Sequence, residues 1–94
     1  MGEAQYRKAA EDVIRIVGKD NIISATHCAT RLRMIVKDKD MINVKELEKL
    51  SLVKGTFFNA GQFQIIFGTG IVNKVYEELE KIGLHTLSKK EQDE

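Results

Sequence analysis

The sequence predicts an α+β domain in which a four-stranded, mainly antiparallel sheet carries three helices on one face. Three observations lead to this fold. The chain has 94 residues, which suffice for one compact core but not for two. Segments near both ends have apolar residues at helical spacing. Between them lie four short runs of alternating or β-branched residues, which indicate strands.

The first helix and the first two strands follow one another closely. Apolar residues recur at helical spacing over Tyr6–Val17, and Gly18 follows, where a helix commonly ends. Ile22–Thr26 is rich in β-branched residues, and Arg31–Lys37 alternates polar with apolar side chains. We therefore predict two strands joined by a short connection.

A second helix and a hairpin follow. Asn43 and Glu46 have the spacing of a capping box, which predicts a short helix from that point. Val53–Phe58 and Gln62–Phe67 read as two strands around Asn-Ala-Gly at 59–61, because Asn and Gly tolerate the positive φ of such turns.

The third helix spans Ile71–Ile82, where apolar residues again recur at helical spacing, and Gly83 ends it. Residues 6–83 are the expected core of a single domain covering 1–94, and 84–94 are a charged tail or the start of a linker.

Composition narrows the possible functions. Lys and Arg total 15 against 14 for Asp and Glu, so no strong field attracts nucleic acid or an anionic membrane. No apolar run approaches the roughly 20 residues that span a bilayer, and the start lacks the features of a secretory signal. We therefore expect a cytoplasmic location.

Cys28 is the candidate reactive residue. It is the only cysteine, and it lies in the short connection between the first two strands. Arg31 and Arg33 follow on one strand face, roughly 6–7 Å apart. Positive charge favours the nucleophilic thiolate, and guanidinium groups match the oxygens of a phosphoryl group.

The residues after Cys28 have the pattern of a small anion-binding loop. The backbone N–H groups of Ala29, Thr30 and Arg31, with the Thr30 hydroxyl, are spaced to bind phosphoryl oxygens. Phosphoryl transfer by positioning and charge neutralisation requires no metal or other cofactor.

Other interpretations of Cys28 remain. Composition alone favours a buried thiol beside a solvated strand face. Against this, Arg31 and Arg33 interrupt an apolar strand, and charges in such a place need a partner. His27 should point away from its neighbour, which disfavours a cysteine protease. One cysteine with His27 and His85 is too few ligands for zinc, and a disulfide cycle lacks a second cysteine.

Two further features allow two readings each. Phe57, Phe58 and Phe63 suit a sheet that stacks bases, so the alternative function is a small nucleic-acid-binding module, although such residues are more often core. Gly-Thr-Gly at 68–70 fits either an anion site at a helix start or a tight turn.

Several motifs together resemble one known family. They are Asn-Ile at 21–22, HCATRLR at 27–33, Val-Lys-Gly at 53–55 and GQFQIIFGTG at 61–70. In order and spacing they are similar to the B domain (EIIB) of bacterial phosphotransferase sugar permeases of the glucose–sucrose branch, over roughly residues 6–83.

The resemblance implies a phosphocarrier. A phosphohistidine on the A component (EIIA) passes its phosphoryl group to Cys28, which delivers it to a sugar held by the membrane C component (EIIC). It implies that Arg31 and Arg33 assist delivery and that Thr30 lies in the phosphate loop. Asp38 also matches a family position, where it pairs with an arginine or holds the loop.

The resemblance also bears on the complete protein. Residues 65–76 are most similar to sucrose-type members, with trehalose and β-glucoside types close behind. The family usually fuses this domain to the C component, so the chain is read as an excised cytoplasmic domain of a membrane permease; a free-standing subunit fits equally. His27 is not shared across the branch and stands outside the essential set, although it is placed to tune the thiol.

Overall fold

The computed structural model describes residues 3–83, so the predicted tail at 84–94, with His85, lies outside the described residues. Three helices and four strands follow one another in the predicted order. They are α1 (Glu3–Val17), β1 (Ile22–His27), β2 (Arg31–Val36), α2 (Val44–Glu48), β3 (Val53–Asn59), β4 (Gln62–Phe67) and α3 (Val72–Ile82). Short 3₁₀ turns at Lys19–Asn21 and Lys39–Met41 precede β1 and α2.

The four strands form one antiparallel sheet in the order β1-β2-β4-β3. Leu32 lies opposite Ile65, and Arg33 lies opposite Gln64. Because side chains alternate along a strand, the arginine side of β2 forms one face of the sheet and the leucine side the other. The predicted α+β fold is confirmed.

The core lies between the helices and the leucine side of the sheet. Helix α1 packs on α3, α2 packs on β3, and α3 contacts β1 and β2. The most deeply buried side chains include Val13, Val17, Leu32, Met34, Leu47, Ile65, Phe67, Val75 and Leu79. The opposite face, called here the open face, carries no helix of the described part. Within residues 3–83 no helix is long and apolar enough to cross a membrane.

The β3–β4 turn differs in detail from the prediction. Asn59 still pairs with Gln62, so only Ala60 and Gly61 form the loop. Both have positive φ, 52° and 79°, as a two-residue turn of this hand requires. The strained position therefore falls on Ala60 rather than on Asn59.

Asn21 is a buried polar residue that fastens the other end of the β1–β2 hairpin. The residue is 3% exposed, and its side-chain amide donates to the carbonyls of Val17 and Asp38 at 3.2 and 2.9 Å. Its carbonyl oxygen accepts from the Asp38 N–H at 2.8 Å. One side chain thus joins the end of α1 to the chain that leaves β2.

We expect Asn21→Ala to lower the free energy of unfolding by about 2–3 kcal/mol, because it leaves buried backbone groups without partners. Urea denaturation of the purified chain measures the change. The control is Asn59→Ala at an exposed position, which should change stability by no more than about 0.5 kcal/mol. Equal stability of the two variants would contradict the assignment.

Candidate functional site

The connection between β1 and β2 is fixed by two backbone hydrogen bonds. The Cys28 N–H donates to the Arg31 carbonyl at 2.9 Å, which closes the turn. The Phe67 N–H donates to the Thr30 carbonyl at 2.7 Å, which attaches the turn to the end of β4. Cys28 is nevertheless exposed. The alternative of a buried structural thiol is therefore wrong, and the sulfur is accessible to a partner.

The environment of Cys28 favours the thiolate. The pKa of its thiol is lowered, first by the backbone N–H of Thr30 and then by that of Arg31. The positive charge and hydrogen bond of Arg33 add to this lowering, while partial desolvation opposes it. The sequence predicts activation of the thiol by two guanidinium groups, whereas in the structure the amides of the turn make the largest contributions.

The two arginines occupy different environments on the open face. Arg33 interacts with Cys28, and its Nε atom is buried without a hydrogen-bond partner among residues 3–83. Arg31 instead donates from Nη1 to the side-chain oxygen of Gln64 at 2.8 Å. The sequence predicts two guanidiniums beside the thiol; in the structure Arg33 interacts with it, whereas the guanidinium of Arg31 donates to Gln64 of β4.

Gln64 is a component of the site that sequence reasoning missed. It is 6% exposed, lies opposite Arg33 in the sheet and holds the neighbouring arginine. The available signal was a polar residue between Phe63 and Ile65 in an apolar strand. A buried amide in such a place needs a hydrogen-bond partner, and Arg31 is that partner.

Asp38 lies far from the turn that contains Cys28. It follows β2 at the end opposite Cys28, so the length of the strand, roughly 20 Å, separates the two. Its backbone is bonded to Asn21, and its carboxylate accepts from the Asp40 N–H at 2.9 Å to cap a 3₁₀ turn. Within residues 3–83 no hydrogen bond or ion pair joins it to an arginine.

His27 lies on the helix side of β1, away from Arg33. It pairs with Leu32 in the sheet, and its ring packs in a tilted arrangement against Tyr76 of α3, with centroids 4.5 Å apart. Its Nδ1 atom lies 3.2 Å from the carbonyl oxygen of Cys28, not against the sulfur. This geometry does not provide a general base for the thiol. In the described part of the chain, no group of three or more His, Cys, Asp or Glu is placed to hold a metal.

The aromatic residues do not form a shared stacking surface. Phe63 is buried in the core, and Phe58 lies beneath the ammonium group of Lys39, 4.9 Å from the ring centre. Phe57 is exposed and alternates with Phe58, so it projects from the open face. The arrangement gives no support to the nucleic-acid alternative.

The Gly-Thr-Gly segment is accounted for by the turn into α3. Gly70 has a φ of 80°, and a Cβ at Gly68 would lie 3.1 Å from Cδ1 of Ile71. The positive φ favours glycine at position 70, and a side chain at position 68 would crowd Ile71. No anion site is needed to explain them.

Comparison with known proteins gives a consistent result. The family model described as "phosphotransferase system, EIIB" matches residues 11–43, which include the cysteine turn and both arginines. The crystal structure of one domain of the PTS system IIabc component from Clostridium difficile superposes with a TM-score of 0.92 at 64% identity. The match covers 100% of this chain and 99% of that one.

Longer relatives contain this domain as one part. The chain is 50% identical over 78 residues to a sucrose-specific EIIBC component from Staphylococcus xylosus, covering 82% of this chain and 16% of the relative. It is 47% identical over 74 residues to a sucrose-specific EIIBCA component from Pediococcus pentosaceus, covering 79% of this chain and 11% of the relative. From the full-length match to the solved domain and these identities, the chain belongs to the EIIB family of the phosphotransferase system.

Proposed function

We propose that this chain is a phosphocarrier that forms a phosphocysteine at Cys28. The observation that carries the proposal is an exposed thiol whose pKa is lowered by two backbone amides and by Arg33. The chain spans about a sixth of the Staphylococcus xylosus relative, so the donor, the sugar and the complete permease belong to the proposal. Membership of the EIIB family supports it.

The first step is acceptance from a phosphohistidine of the A component. The ionised sulfur of Cys28 attacks phosphorus, so an S–P bond forms as the N–P bond breaks and the imidazole nitrogen keeps the bonding pair. Arg33 and the N–H groups of Ala29 and Thr30 neutralise the phosphoryl oxygens. The unpartnered Nε of Arg33 supports this role, because a phosphoryl oxygen satisfies it.

The second step is delivery to a sugar hydroxyl held by the membrane C component, with the domain on the cytoplasmic side. The hydroxyl oxygen attacks phosphorus and the S–P bond breaks, which restores the thiolate. The proton released by the hydroxyl balances the one that the imidazole nitrogen of the A component takes up after it has lost the phosphoryl group. We assign Arg31, whose guanidinium donates to Gln64, to this delivery step.

The names of the relatives favour sucrose as the sugar. We assign the selection of the sugar to the C component, because the family resemblance puts the sugar site there and the roles proposed for this chain's residues all concern the phosphoryl group. Asp38 supports the site indirectly, since it helps to hold the far end of the hairpin through Asn21.

Incubation with phosphoenolpyruvate, the general phosphotransferase proteins and the A component should add one phosphoryl group to the chain, visible by intact mass spectrometry. Cys28→Ser should remain unmodified, because a serine hydroxyl is not ionised at neutral pH. A phosphoryl adduct of equal yield on the serine variant would place the acceptor elsewhere.

The rate of alkylation of Cys28 by iodoacetamide should reach half its maximum at a lower pH than it does for an ordinary cysteine. The reason is that only the thiolate reacts and the pKa of this thiol is lowered. Arg33→Met should move this midpoint to higher pH, because it removes a charge that stabilises the thiolate. Arg31→Met is the matched control and should move it less, because Gln64 holds that guanidinium. Equal shifts for the two variants would contradict the distinction.

Arg31→Lys and Arg33→Lys should still accept a phosphoryl group but deliver it poorly, because lysine lacks the planar fork of arginine. In the complete permease, we expect sugar phosphorylation to fall roughly 10- to 100-fold, the effect of one lost charge-assisted hydrogen bond. Intact mass measures acceptance of the phosphoryl group, and the formation of sugar phosphate measures its delivery. Normal delivery by either variant would refute its assigned role.

A further inference from the structure

His27 makes a hydrogen bond to the reactive turn that the proposed chemistry does not use. Its Nδ1 atom lies 3.2 Å from the Cys28 carbonyl oxygen. A carbonyl only accepts hydrogen bonds, so Nδ1 must carry the proton and donate. Both the neutral tautomer protonated at Nδ1 and the imidazolium satisfy this requirement. The contact therefore persists in either charge state of the ring.

The imidazole ring is itself held by α3. It packs against the ring of Tyr76, with centroids 4.5 Å apart and ring planes inclined at 52°. Tyr76 is buried, and its hydroxyl donates to the carbonyl of Ala25, two residues before His27 on β1, at 3.3 Å. The same tyrosine thus contacts both the strand and the ring, so the position from which His27 donates is set by the helix layer.

The hydrogen bond fixes the peptide that follows the reactive cysteine. No cis peptide occurs in the described chain, and in a trans peptide the C=O and N–H point in opposite directions. Because the Cys28 carbonyl points toward His27 on the helix side, the Ala29 N–H points toward the other side. That is the side of Arg33, which lies opposite Thr26 and interacts with the Cys28 sulfur.

We propose that His27 is a positioning residue, which holds the Cys28–Ala29 peptide so that the Ala29 N–H is directed at the phosphoryl group on Cys28. The inference rests on the proposed phosphocarrier function. His27 touches neither the sulfur nor the phosphoryl oxygens, and acts through the backbone. It also maintains the shape of the turn in which the amides of Thr30 and Arg31 meet the sulfur.

Two variants distinguish the effect of the Nδ1–H donor of His27 from the effect of its aromatic ring. His27→Phe keeps an aromatic ring against Tyr76 but has no N–H to offer. His27→Asn loses the ring but places an amide nitrogen at the position of Nδ1, one bond from Cγ. Thermal unfolding of each variant shows whether it is folded before the site is measured.

The first measurement is the pH dependence of Cys28 alkylation in the unphosphorylated chain. We expect the midpoint to move to higher pH in His27→Phe, because a loosened turn presents its amides less well to the thiolate. His27→Asn should stay near the wild type. This readout needs no phosphoryl donor, so it decides whether His27 positions the turn even if the wild-type chain accepts no phosphoryl group and the proposed function fails.

The second measurement is the amide proton shift of Ala29 by NMR before and after phosphorylation. A downfield shift should appear in the wild type and in His27→Asn and be much reduced in His27→Phe. Phosphorylation of His27→Phe should be slower by roughly two- to tenfold, the effect of one neutral hydrogen bond.

Wild-type alkylation and amide shifts in His27→Phe would overturn the proposal. So would a folded His27→Asn that is as defective as His27→Phe, because the ring rather than its N–H would then be responsible. A wild-type chain that is phosphorylated without any shift of the Ala29 amide would also refute the proposed contact.

Discussion

The site depends on how the β1–β2 turn is closed and attached to β4. The Cys28 N–H bonds to the Arg31 carbonyl, and the Phe67 N–H bonds to the Thr30 carbonyl. These two hydrogen bonds fix the shape of the turn. In that shape the backbone N–H groups of Thr30 and Arg31 are directed at the sulfur of Cys28. An exposed thiol at the end of a strand thus acquires fixed partial charges from the backbone, which need no reorganisation when charge develops.

One face of the sheet contributes to the hydrophobic core, and the other carries the arginines of the candidate site. Leu32 and Met34 are fully buried beneath the helices, whereas Arg31 and Arg33, which alternate with them, lie on the open face. A single strand therefore anchors the core and presents the cations. His27 extends the same principle, since it reaches the turn from the helix side while Arg33 reaches it from the open side.

In the described part of the chain, Arg31 has a hydrogen-bond partner, whereas the Nε of Arg33 has none. Gln64 takes one N–H of Arg31, and its burial makes that hydrogen bond hard to replace with water. The Nε of Arg33 is buried without a partner among the described residues, at a cost of about 1–3 kcal/mol. In the proposed mechanism a phosphoryl oxygen supplies the missing acceptor and removes this cost.

The sequence by itself determined the α+β class, the order of the elements and the position of Cys28 between two strands, because periodicity and turn residues are local properties of the chain; that the thiol is exposed was decided by the tertiary structure. The sequence also placed Arg31 and Arg33 on one face. Only the tertiary structure decided that Arg33 meets the sulfur while Gln64 holds Arg31, that Asp38 lies at the far end of the hairpin, and that Tyr76 orients His27. These contacts join residues far apart in the chain, and strand order and helix packing set them rather than any local pattern.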